Sequence, residues 1–62
     1  MSMDKGYLLE QYKLAILDFQ TAHNEDEQWG ARKQMANIER TALELFGTEL
    51  DQEFEQMKDT IR

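Results

Sequence analysis

The residues best suited to metal chemistry lie between positions 23 and 27. His23 is the only histidine, and Glu25, Asp26 and Glu27 follow it closely. Helical metal sites place a glutamate three residues before the histidine, and Gln20 holds that position here. Because the chain also lacks cysteine, we expect no metal site. We interpret His23 as a residue of a helix's last turn, favoured by the negative end of the dipole.

The same region has a superficial likeness to a calcium-binding loop. Oxygen ligands could come from Asn24, Asp26 and Gln28. The sixth position of such a loop needs a glycine and the twelfth a bidentate glutamate. Trp29 and Met35 stand there instead, so we exclude calcium and interpret the acids as the start of a helix.

Acidic residues also crowd the third predicted helix. Paired carboxylates can share acid and base work in a concave, partly dry site. A short helix on so small a chain has little to bury them, so we interpret them as a solvated acidic face. A docking surface for a basic partner is the alternative. The acids are Glu49, Asp51, Glu53, Glu55 and Asp59, interrupted by Lys58 and Arg62.

No nucleophile, phosphate-binding loop or dinucleotide fingerprint is present in the sequence. We therefore predict that the chain is not an enzyme, and that it has no catalytic and no cofactor-binding residues. The nearest approach to a basic patch is Arg32, Lys33 and Arg40 on the second helix. With Glu39 and Glu44 close to Arg40, we expect ion pairs on a solvated face.

Composition narrows the class of partner. Thirteen acidic and seven basic residues give a net charge of −6, which disfavours direct binding to nucleic acid and to anionic membranes. The longest apolar run, at positions 14–17, is far too short to span a bilayer. The first residues lack the apolar core of a signal peptide. The expected location is cytoplasmic.

Chain length predicts a partner. A domain of 62 residues buries only roughly 60% of its unfolded surface. Domains of this size usually depend on disulfides, a structural metal or oligomerisation. Because the chain has no cysteine, disulfides and thiolate metal sites are excluded, and a homodimer is the expected means of stabilisation.

Apolar residues recur at steps of four and three in three segments, which is the spacing of one side of an α-helix. We predict helices at about 4–22, 25–46 and 49–60 within a single domain. The apolar positions are Leu8, Tyr12, Ala15, Phe19 and Ala22; Ala31, Met35, Ile38, Ala42 and Leu45; and Leu50, Phe54, Met57 and Ile61.

Capping residues set the predicted ends of these helices. Ser2 or Asp4 can cap the first helix, and Asn24 with Glu27 has capping-box spacing for the second. Gly47 is placed to end the second helix. Thr48, with Asp51 three residues later, is the predicted N-cap of the third. The alternative is that the second helix bends through the glycine and continues.

The predicted fold class is all-α. Short connections make neighbouring helices antiparallel, which gives a helical hairpin followed by a shorter third helix. The result is a three-helix bundle, or a four-helix-type bundle when two hairpins associate.

The first two helices carry more apolar residues than one face requires. We interpret the surplus as completing a three-helix core, with self-association or a site for another protein as alternatives. The candidate interaction surface consists of Tyr7, Leu14, Leu17, Trp29, Ala36 and Leu43. For Trp29 we favour closure of the bundle end near the hairpin turn. The alternative is an interface anchor, and the adjacent Gly30 would then admit a closely packed neighbour.

These observations predict a protein–protein interaction or regulatory module that self-associates and needs no cofactor. An alternative function is an acidic decoy that occupies the nucleic-acid site of a DNA- or RNA-binding protein. A third possibility, a subunit that folds only within a larger assembly, is disfavoured by the helix caps within the chain.

Overall fold

The computed structural model describes residues 4–61, and they form an all-α fold. Helix α1 spans Lys5–Thr21, α2 spans Glu25–Phe46 and α3 spans Asp51–Lys58, followed by a single 3₁₀ turn at Asp59–Ile61. Helices α1 and α2 form the predicted hairpin, and α3 packs mainly against α1. The all-α three-helix arrangement predicted from the sequence is confirmed.

Side-chain caps fix the starts of the two long helices. The Asp4 carboxylate accepts a hydrogen bond from the Tyr7 backbone N–H at 2.7 Å. The Asn24 side chain accepts one from the Glu27 N–H at 2.9 Å. The Glu27 carboxylate reaches back to the N–H of His23 at 2.8 Å. The predicted caps at Asp4 and Asn24 are therefore confirmed, whereas Ser2 lies outside the described residues.

The chain breaks at Gly47, as predicted. Its φ of +64° lies in a region that costs L-residues energy but not glycine. The predicted N-cap at Thr48 is wrong: α3 begins at Asp51, after Leu50, and has no side-chain cap. The Thr48 backbone carbonyl, not its hydroxyl, accepts a hydrogen bond from the Asp51 N–H at 3.2 Å. Residues 47–50 form a turn between α2 and α3, and Leu50 at its end is buried in the core.

The core lies where the three apolar stripes meet. The Tyr12 and Phe54 rings pack with centroids 4.3 Å apart, and they are the largest fully buried side chains. The stripes are confirmed except at Leu45, which is 54% exposed, while Ile16, outside the predicted stripe, is buried. The Ile61 side chain lies outside the described structure. The buried residues are Leu8, Tyr12, Ala15, Ile16, Ala31, Met35, Ala42, Leu50 and Phe54.

Polar contacts hold α3 and its flanking turns on one side of the hairpin. The Lys5 ammonium lies 3.0 Å from the Glu49 carboxylate. The Gln20 side chain donates to the Thr60 backbone carbonyl at 3.2 Å, and Lys58 pairs with Glu39 of α2 at 3.1 Å. The opposite side of the hairpin has no helix over it in the described part of the chain.

Candidate interaction surfaces

All six residues of the predicted interaction surface are exposed. The interpretation that they complete a three-helix core is therefore wrong. The structure does not unite them on one face. It divides them into a pair on the open side of the hairpin, a single leucine on the outside of α1, and a row along the outside of α2.

The pair consists of Tyr7 and Leu14, which line a groove of about 410 Å³ between α1 and α2. We call this depression the α1–α2 groove. Tyr12 and Ile16, which face α3, lie on the other side of α1, because a helix turns about 100° per residue. The groove is thus the side of the hairpin that α3 leaves uncovered.

The groove lining is mostly uncharged. Asp18 is the one charged residue that lines it, and its apolar part comes from exposed Tyr7 and Leu14, partly buried Ile38, and buried Leu8 and Ala15. The remaining lining includes Gln11, Gln34, Asn37 and Thr41. The sequence analysis did not single out these uncharged polar residues, although 34, 37 and 41 follow the same 3–4 spacing as the apolar stripe.

A second depression continues the groove toward the hairpin turn. It shares Asp18 and Gln34 with the first and adds Gly30. A Cβ atom placed on Gly30 would meet nothing within 4 Å. We therefore see no closely packed neighbour at this glycine within the described chain.

Two further leucines are exposed near the hairpin. Leu17 is 46% exposed and does not line the groove, since it lies on the opposite side of α1 from the core. Leu45 follows Ile38 by seven residues and therefore lies on the same side of α2, toward the end of the groove. The predicted set thus included one leucine outside the groove and omitted one beside it.

The row along the outside of α2 consists of Trp29, Ala36 and Leu43, spaced seven residues apart. Trp29 is 64% exposed, so the interpretation that it closes the end of the bundle is wrong. On the helical wheel this row lies about 150° from the groove-lining residues of α2. The chain therefore has two separate apolar surfaces.

Charged residues of both signs flank this row, with exposed Asp26 and Glu44 on the same side as Lys33 and Arg40. Arg32, Lys33 and Arg40 are exposed, and the salt bridges in the described chain involve only Lys5 and Lys58. The predicted ion pairing of the three α2 bases is therefore wrong.

Other contacts involve Arg32 and Glu39. Glu39 pairs with Lys58 of α3. The Arg32 guanidinium lies over the Phe19 ring, 5.2 Å from its centroid, which is within the range of a cation–π contact.

Two of the acidic residues near the end of the chain contact lysines. Glu49 pairs with Lys5, and Glu55 lies 3.8 Å from Lys58. Residues 4–61 contain no cluster of three potential metal-ligating side chains. These contacts do not test the alternative function as an acidic decoy, which stays a prediction.

Comparison of the chain with known protein families, curated proteins and solved structures found no match. None of the helices within the described residues is both long enough and apolar enough to cross a membrane.

Proposed function

We propose that this chain is a non-enzymatic protein–protein interaction module that associates with a second copy of itself through the α1–α2 groove. The observation that carries the proposal is the open α1–α2 groove, where Tyr7 and Leu14 are exposed and Asp18 is the one charged lining residue. A regulatory role in the cytoplasm is part of this proposal, because the absence of cysteine fits a reducing compartment.

Charge supports a second copy as the occupant of the groove. Two chains that each carry −6 repel one another, and the repulsion is smallest where their charged residues are fewest. The groove lining has one charged residue, Asp18. Depletion of charge in the buried centre is typical of protein interfaces.

Helix geometry supports the same occupant. A hairpin with one uncovered side can be completed by an identical hairpin related by a two-fold axis, which gives a four-helix bundle. The two α3 helices then lie on the outside of the assembly.

An interface of standard size takes about 800 Å² from each partner. The Cα atoms span only 33 × 24 × 15 Å. A dimer consequently needs most of one side of the molecule. The side away from α3 is the one that the fold leaves open.

Two leucines of equal exposure test the proposal. Leu14 lines the groove and is 45% exposed, whereas Leu17 is 46% exposed and lies outside it. We expect Leu14→Asp to convert the dimer into a monomer in sedimentation velocity, because the substitution places a carboxylate at the interface centre. Leu17→Asp, the matched control, should leave the sedimentation coefficient unchanged.

Circular dichroism should show unaltered helicity for both variants, since neither leucine belongs to the core. If Leu17→Asp dissociates the dimer while Leu14→Asp does not, the groove is not the interface.

A further inference from the structure

We infer that the second copy packs antiparallel on the α1–α2 groove, so that the Asp18 carboxylate of each copy lies beside the Gln11 side chain of the other. This inference rests on the proposed self-association and deepens it. It specifies the orientation of the partner and the residue with which the partner completes the groove.

One stripe of α1 lines the whole open side of the hairpin. Tyr7, Gln11, Leu14 and Asp18 line the groove, and Asp18 and Thr21 line the depression that continues it toward the hairpin turn. These five residues follow one another at steps of four, three, four and three, which is the repeat that keeps a seam facing a neighbouring helix. The stripe is therefore suited to contact one helix along its length.

Charge is unevenly distributed between the two ends of the hairpin. Positions 18–31, around the turn, have four acids and no lysine or arginine, which gives a charge of −4. Positions 4–13 and 36–46, at the other end, have four acids and three bases, which gives a charge of −1. Two copies therefore repel each other most strongly where their turns come together.

Two hairpins that face each other across a two-fold axis have two orientations. If the axis runs along the helices, the turns lie at the same end of the dimer, and a charge of −4 meets another of −4. If the axis runs across the helices, each turn lies beside the less charged end of the partner. Because like charges placed side by side act against a pairing, the antiparallel orientation is favoured.

The antiparallel orientation also gives Asp18 a hydrogen-bond donor. Leu14 is the middle residue of the stripe, so the axis crosses α1 near it, and α1 packs against α1 of the partner. Asp18 follows Leu14 by four residues and Gln11 precedes it by three, so Asp18 lies nearly level with the partner's Gln11. The Gln11 amide donates hydrogen bonds, and the Asp18 carboxylate, which forms no salt bridge in the described chain, accepts them. Symmetry repeats this contact on the other side of the axis.

Introduced cysteines test the orientation, because the chain has none of its own. We expect an equimolar mixture of Gln11→Cys and Asp18→Cys, equilibrated in glutathione buffer, to give mainly the mixed disulfide, measured by mass spectrometry. Two Gln11 positions, or two Asp18 positions, lie about 9–12 Å apart along the helices of the antiparallel dimer, too far for a disulfide. Leu17→Cys mixed with Asp18→Cys is the matched control and should give no mixed disulfide.

A charge exchange tests the contact itself. Gln11→Glu places two carboxylates side by side at both contacts and should raise the dimer dissociation constant by roughly tenfold or more. Adding Asp18→Asn restores a carboxylate–amide pair and should recover most of this loss. Adding Glu53→Gln, at an exposed acid of α3, removes the same charge and should recover little. None of these residues belongs to the core, and circular dichroism verifies that helicity is retained.

The inference and the proposed function fail separately. A wild-type chain that keeps the mass of one chain, with no mixed disulfide, contradicts both and leaves the groove to a different protein. A wild-type dimer in which disulfides between identical variants predominate overturns the antiparallel orientation alone. Equal recovery of Gln11→Glu by Asp18→Asn and by Glu53→Gln overturns the contact between Asp18 and Gln11.

Discussion

The hydroxyl of Tyr12 is buried, and none of its contacts within the described chain has the geometry of a full hydrogen bond. Burial is the largest cause that raises the pKa of this hydroxyl above its ordinary value of 10.0, followed by the charge of Glu39, a hydrogen-bonding interaction with the same carboxylate, and the charge of Glu55. Glu39 therefore lies near the hydroxyl, but its carboxylate is paired with Lys58 at 3.1 Å, which leaves the tyrosine at most a weak partner. A buried polar group without a partner costs about 1–3 kcal/mol.

We therefore expect Tyr12→Phe to raise the free energy of unfolding by about 1 kcal/mol, since it removes the unpaired hydroxyl and keeps the ring against Phe54. Urea unfolding at fixed protein concentration measures the change. Tyr7→Phe, at the half-exposed tyrosine, is the control and should have little effect on the isolated fold. A loss of about 1 kcal/mol in Tyr12→Phe would mean that the hydroxyl is paired in solution.

The raised pKa also predicts a pH dependence. The unfolded chain releases the Tyr12 proton near pH 10, whereas the folded chain retains it to higher pH. Unfolding therefore releases a proton above about pH 10, and the free energy of unfolding decreases as the pH rises from there. The difference in stability between wild type and Tyr12→Phe should widen between about pH 9.5 and 11.5, in favour of the variant.

At the scale of the helices, the turn between α2 and α3 depends on one glycine. Gly47 has a φ of +64°, so Gly47→Ala forces a side chain into an unfavourable backbone conformation and should destabilise the fold by about 1–2 kcal/mol. Gly30→Ala is the matched control with the opposite sign. Gly30 lies in the interior of α2, and nothing lies within 4 Å of its Cβ position. The alanine should therefore raise the free energy of unfolding by about 1 kcal/mol.

Thermal unfolding of the two variants measures both effects, with the midpoint expected to fall for Gly47→Ala and to rise for Gly30→Ala. Equal midpoints for wild type and Gly47→Ala would show that α2 can continue through this position.

The helices and most of their ends could be predicted because their determinants are local. The cap at Asn24 acts over three residues, and Gly47 acts through its own backbone. The start of α3 could not be predicted in this way. The burial of Leu50 against the other helices delays α3 past Thr48, and this tertiary effect overrides a favourable capping sequence.

At the scale of the whole molecule, the surplus apolar residues could be identified from the sequence, but neither their exposure nor their grouping was predicted. The seven-residue spacing of Trp29, Ala36 and Leu43 is visible in the sequence, whereas the side of the hairpin that α3 occupies depends on packing between distant residues. Because α3 covers the Tyr12 side of α1, Tyr7 and Leu14 remain on an open groove. Leu17, one turn after Leu14, does not line it.

The same packing decides which charges meet across helices. Lys58 of α3 pairs with Glu39 of α2, a contact between helices that the spacing within α2 does not predict. Arg40 forms no salt bridge within the described chain, although Glu44 lies one turn after it.

The molar mass of the wild-type chain as a function of concentration tests the central claim most directly. Sedimentation equilibrium from about 1 to 200 μM brackets the micromolar range in which a weak dimer forms. We predict a mass that rises toward twice the 7.4 kDa of the single chain. A constant mass of one chain throughout this range would contradict the proposed association through the α1–α2 groove.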